Sequence, residues 1–238
     1  MTGQDEFDIA DDLLARMTQA GVEAADCMRV LAKSGGNLVG EVLRDNGEFY
    51  EWSHYPPDDV YDPESHAQYY FHAHPPEARG DPDYGHFHTF LRPRGMPDGI
   101  APAQVPGFVM PEGDNAALSH LIAISMTQEG LPERLFTTNR WVTGDVWYAA
   151  ADVIAMLDRF VVDLAYPSWP LNRWITAMLV LYRPQIERLL RDRDRCIAAW
   201  QAAHPDTDVF EDRGLEVTSS LAISVPAQIE WLIARETR

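Results

Sequence analysis

The spacing of apolar positions changes along this chain, and each change marks an element. Over residues 8–33, Ile9, Leu13, Met17 and Ala20 recur at helical spacing, and Val22, Ala25, Met28 and Leu31 carry a second face. Asp11 and Asp12 fall in the first turn, where the helix dipole favours acids, and Gly21 is a candidate break. Ser34-Gly35-Gly36 ends the stretch. Residues 38–43 read equally well as a helical turn or a short strand. Asn46-Gly47 is a turn signal that opens an aromatic-rich strand over 48–55, followed by a loop holding Pro56, Pro57 and Pro63.

Period 2 then takes over. In HAQYYFHAH, residues 66–74, pleating puts Gln68, Tyr70, His72 and His74 on one face and Tyr69 and Phe71 on the other. HFHTFL, residues 86–91, places His86, His88 and Phe90 together. Two more strands are expected over 118–126 and 134–140, with an irregular Pro/Gly-rich stretch over 92–115. From about residue 147 the period is helical again: Val153, Met156, Leu157 and Phe160 share a face. Ser168 is placed to cap a second helix. Pro184 begins a third that runs to about Ala203, and a last helix covers 226–235.

This order predicts an α+β fold, an antiparallel sheet of about five strands (residues 48–141) packed against N-terminal and C-terminal helices. The expected organisation is a single domain over 1–238: a helical segment 1–45, a sheet 46–145 carrying the histidines, and a helical segment 146–238. One sheet face should meet the helices and the other a pocket.

Composition sharpens this picture. Hydrophobic residues make up 46% of the 238 positions and charged residues 24%, the balance of a globular protein. A formal net charge of −18 repels phosphate backbones and anionic bilayers, so neither nucleic acid nor membrane is an expected partner, and cations are attracted. No signal peptide and no membrane span is read, and a cytoplasmic location is expected. Cys27 and Cys196 lie in helical segments without CxxC spacing and read as reduced, buried thiols.

The candidate chemistry is the pair of His-x-His sequences, His72/His74 and His86/His88. Members of each pair share a strand face about 6.5–7 Å apart at Cα. If the loop 75–85 closes a symmetric hairpin, His74 opposes His86 and His72 opposes His88, and four imidazoles crowd one patch. Protonated, they would repel; neutral and unliganded, they would bury lone pairs without partners. A divalent transition metal (Fe, Cu or Zn) removes both problems. A one-residue slip would separate the pairs, so the site depends on register.

His120, His66 and Glu77 are candidates for an extra ligand or an outer contact, with His54 a weaker one, and Tyr70, on the histidine face, for a catalytic acid, base or redox partner. Asp81 and Asp83 share the loop with Glu77. Asn139, Arg140 and Asp145, dense among aromatics, are candidates for binding an anionic small-molecule substrate. The plainer alternative is an Arg–Asp pair in a β-turn.

No P-loop, dinucleotide fingerprint, HExxH or GxSxG occurs. GHFHTF carries Phe90 where histidine-triad hydrolases need a third histidine. HAHPPE brings its acid too early for a cupin. The YYFHAH…GHFHTF block together with HLIAISM…TTNRW resembles an uncharacterised bacterial protein family over most of residues 45–200, and the resemblance implies no activity. The leading expectation is therefore a metal-dependent, oxidative enzyme (non-haem iron or copper) acting on a small molecule. A zinc-dependent hydrolase or lyase, a non-catalytic metal-binding or sensing protein, and an interaction module with structural histidines are the alternatives.

Overall fold

The computed structural model describes residues 7–75 and 84–236. The architecture is α+β: a six-stranded antiparallel sheet in simple meander order, with seven α-helices among the described residues. The strands are β1 (Tyr55–Tyr61), β2 (Ala67–His72), β3 (Gly85–Leu91), β4 (Ser119–Met126), β5 (Pro132–Thr138) and β6 (Val217–Ala222). The helices are α1 (Asp11–Lys33), α2 (Leu38–Leu43), α3 (Arg140–Thr143), α4 (Ala150–Met156), α5 (Trp169–Leu181), α6 (Arg183–Ala203) and α7 (Val225–Glu236).

Two strands correct the expectation. The first strand is Tyr55–Tyr61, not 48–55, and contains both Pro56 and Pro57. Proline donates no ladder hydrogen bond, and β1 is tolerated because it is the sheet edge and pairs through a bulge with β2 alone. The sixth strand, VTSSLA, was not expected. It has no apolar alternation, and a hydroxyl ladder attaches it to β5: Thr137 Oγ1 lies 2.8 Å from Thr218 Oγ1 and 2.6 Å from Ser219 Oγ.

The helices follow the period reading closely. Gly21 does not break α1. It lets α1 approach α7 and α5, since a Cβ there would lie 3.1 Å from Ile229 Cγ1 and 3.4 Å from Leu181 Cδ1. Residues 38–43 resolve as helix, with Asn37 Oδ1 accepting from the Gly40 N–H at 2.8 Å. Ser168 stands at the N-cap of α5, but its hydroxyl makes no capping bond.

Strands β2, β3 and β4 are buried on both faces. On one face Tyr69, Phe71, Phe87, Ile122, Ile124 and Leu135 join the main core with the helices. The Phe87 and Trp174 rings sit 5.9 Å apart, and the Tyr69 phenol donates to Asn172 Oδ1 on α5. Asn172 in turn donates to the Leu164 and Tyr166 carbonyls, so one buried amide ties β2 to the loop before α5. The opposite face carries the histidines.

Candidate metal centre

The β2–β3 register places His72 opposite His86 and Tyr70 opposite His88. The expected pairing of His72 with His88 and His74 with His86 is therefore displaced by two residues. The ladder stops at His72 because the Ala73 carbonyl accepts instead from the Trp52 N–H at 2.9 Å. Gly85 permits the close start of β3: a Cβ there would sit 2.8 Å from the His72 carbonyl oxygen and collide with the Phe71 ring. A two-residue displacement preserves side-chain parity, so every histidine stays on the predicted face.

Three imidazoles converge. One nitrogen from each of His72, His86 and His88 lies within 4.8 Å of the other two, and all three residues are buried. His72 Nε2 and His86 Nε2 are 2.7 Å apart, one donating and one accepting. His88 Nε2 is buried with no hydrogen-bond partner. An orphaned buried polar atom is costly, about 1–3 kcal/mol, and needs a reason to persist. A metal ion supplies one. Nitrogen ligands at about 2.1 Å around a tetrahedral ion lie about 3.4 Å apart; the separations here run from 2.7 Å to no more than 4.8 Å, so small side-chain rotations reach that geometry.

The protonation states also fit. Burial first, then the neighbouring His86, His74 and His54, pushes His72 down to about 2. His88 is held well below the usual imidazole value by burial, with His86, His120, His72 and His74 adding to it. Neutral imidazoles are what a metal requires.

His120 stands behind His88 rather than in the trio. Its Nε2 lies 3.0 Å from His88 Nδ1. If His88 Nε2 carries a lone pair for a metal, Nδ1 holds the proton and donates it to His120, the usual way an outer residue fixes a ligand's tautomer. His120 is pushed down to about 3 by burial, then by Arg193 and His86, and so accepts as a neutral ring. Asp145 Oδ2 accepts from the His120 backbone N–H at 2.9 Å, and its other oxygen accepts from Thr143 Oγ1 at 2.7 Å.

The remaining candidates separate. The His74 ring packs against His72 at 4.8 Å and His86 at 5.3 Å and stacks on Trp52 at 4.4 Å, outside the converging trio. His66 lies at the far end of β2, where its Nδ1 meets the Tyr61 hydroxyl at 2.5 Å. Tyr70 is buried beside His72 and His88, with ring centroids at 5.4 and 5.3 Å, and burial raises its pKa. Asn139 caps α3 and donates to the Val209 and Leu215 carbonyls; Arg140 pairs with Glu211. These two therefore serve the α3 corner. Glu77, Asp81 and Asp83 lie outside the described residues.

The weaker candidate His54 reaches the cluster's edge: it stacks on Tyr70 at 3.6 Å and holds Asp59 Oδ1 at 2.9 Å through Nδ1. One contributor was not foreseen: Phe136 packs edge-on to His86 at 5.2 Å. The face parity of Phe136 across β4 could have revealed it. The sequence marks His54 only weakly, because its approach depends on the path of residues 46–54 across the sheet.

A family model for a domain of unknown function, DUF6969, matches residues 18–223. The chain belongs to that family. Comparison with curated proteins and with solved structures gives no match. The DUF6969 match spans all six strands and the whole histidine cluster, so the site lies inside the unit that defines the family. Among the described residues no helix is long and apolar enough to cross a membrane.

Proposed function

We propose that this protein is a metal-dependent enzyme that holds a divalent first-row transition metal, iron or copper, on His72, His86 and His88, and carries out oxidative chemistry on a small molecule. The observation that carries the reading is the buried, partnerless His88 Nε2 facing two further imidazoles. Three neutral nitrogen ligands leave coordination positions for a substrate or oxidant, and such a metal supplies Lewis-acid and redox chemistry there.

The chain's own residues then have defined tasks. His120 holds His88 in its ligating tautomer. Tyr70 keeps its proton, raised by burial, and stands ready to donate it beside the ligands. Phe90 and Phe136, both buried, pack against His88 and His86 as apolar rings that keep bulk water away. The aromatic and tyrosine-rich surroundings of the trio, with Tyr70 beside His72 and His88, favour oxidation over zinc-promoted hydrolysis.

Nitric oxide added anaerobically to Fe(II)-loaded protein tests this reading. An open position gives a new iron–nitrosyl spectrum that His88→Ala loses. The complete burial of His88 favours one second reading, a closed site that stores or senses metal. A protein that binds iron yet gives no nitrosyl signal would establish that reading and overturn the enzymatic one.

A further inference from the structure

His74 shares the face of His72 by strand parity, yet its nitrogens are not among the three that converge. Its ring nonetheless lies 4.8 Å from His72 and 5.3 Å from His86. The rings of the trio are no closer to one another, at 4.5, 4.9 and 5.2 Å. Imidazoles around a tetrahedral ion have centroids about 5 Å apart. The His74 ring also meets its two neighbours edge to face, at 65° and 89°, as the members of the trio meet each other.

Trp52 holds this ring to one side. The indole stacks on His74 at 4.4 Å, and the Trp52 N–H donates to the Ala73 carbonyl at 2.9 Å. The β2 ladder ends at His72, so residue 74 lies beyond it and its side chain is positioned by its neighbours rather than by the sheet. Trp52 adopts a φ of 69°, a left-handed conformation that bulky residues rarely take, and it is 59% exposed. Burial in a core therefore does not account for the strained backbone. Strain of this kind is found at ligand clamps and switch regions.

We infer that His74 is a displaceable fourth ligand of the metal centre, and that Trp52 is the positioning residue that holds it when it is displaced. The inference rests on the metal reading given above and adds a regulation to it. With His74 turned inward about its side-chain bonds, four nitrogens complete a tetrahedral set. With His74 on the indole, one position is open to a small exogenous ligand or a substrate. The stack thus sets how readily the centre opens, and one chain passes between a closed and an open form.

NMR of the Co(II)-loaded full chain, with labelled histidine, tests this by counting coordinated rings, each of which gives strongly shifted resonances. Four shifted rings are expected without added ligand, and three after saturation with azide or in His74→Ala. Azide titrations should show two substitutions acting in opposite directions. His74→Ala should bind azide about tenfold more tightly and Co(II) about tenfold more weakly; Trp52→Ala should bind azide about tenfold more weakly and Co(II) at least as tightly. Trp52→Phe keeps a stacking ring and should restore wild-type behaviour. Three shifted rings in wild type without azide, an unchanged count in His74→Ala, or equal azide affinity in all variants would overturn the inference and leave the metal reading standing. Failure of the wild-type chain to take up Co(II) would instead overturn both.

Discussion

The two faces of strands β2, β3 and β4 are equally buried and built on opposite principles. Toward the helices, Phe71, Phe87, Ile122 and Ile124 pack as hydrocarbon in a core where non-directional burial does the stabilising. On the other side Tyr70, His72, His86, His88 and His120 exclude water almost as completely but leave a nitrogen unsatisfied, and burial holds His72, His88 and His120 below the ordinary imidazole range. The same backbone carries both, so the difference lies in the side chains alone. A fold that needed only stability would make both faces like the first. On the proposed reading, the histidine face gives up stability in the absence of a metal, which is how a binding site differs from a core.

Acid should expose this difference most strongly. For His72, His88 and His120 the folded-state pKa lies below the ordinary value of 6.5. Below about pH 6.5 the unfolded chain takes up protons that the folded chain refuses, so their contribution is intact above that pH and is lost as pH falls toward the folded values. Each group then adds about 1.4 kcal/mol of lost stability per pH unit. Denaturant titrations between pH 7 and 5 should show this slope, and a triple substitution of these histidines by apolar residues should flatten it.

Next in size is a break on the apolar face. Phe87→Ala should cost about 3–5 kcal/mol in urea unfolding while leaving any protein that remains folded able to bind metal. His120→Ala should act oppositely, lowering metal affinity by about 10–100-fold with a modest effect on the fold, measured by competition with a chromophoric chelator. The smallest stability effect should come from His88→Leu. Removing an orphaned nitrogen should change metal-free stability by no more than about 1 kcal/mol, or raise it, while metal binding is lost. A large destabilisation of metal-free protein would mean that His88 is a satisfied structural residue.

Much of this contrast was legible in the sequence. Period 2 in residues 66–74 and 86–91 sets which side chains share a face, and parity survives a displacement of two residues. That is why the histidine cluster was found although the predicted partners of His72 and His74 were not the observed ones. Register itself was not legible, because it depends on Trp52 taking the Ala73 carbonyl and on Gly85 fitting against Phe71, both set by tertiary approach. Pro56 and Pro57 hid β1, since a proline reads as a break unless the strand is known to lie at an edge. The hydroxyl-rich β6 hid for a related reason: it lies some eighty residues from its partner β5 and is held by threonine and serine hydroxyls rather than an apolar stripe. The roles of Asn139 and Arg140 were also invisible, because their partners, Val209, Glu211 and Leu215, belong to a distant loop.

The central claim is that the histidine face exists to hold a metal. Metal analysis of protein purified without a histidine tag, before and after anaerobic reconstitution and desalting, tests it most directly. The account predicts about one transition-metal ion per chain, lost in a His72→Ala/His88→Ala double variant that remains folded and retained in His204→Ala, a change at the exposed histidine that ends α6. Less than about 0.2 ion per chain after reconstitution, or equal loading of the double variant, would contradict it.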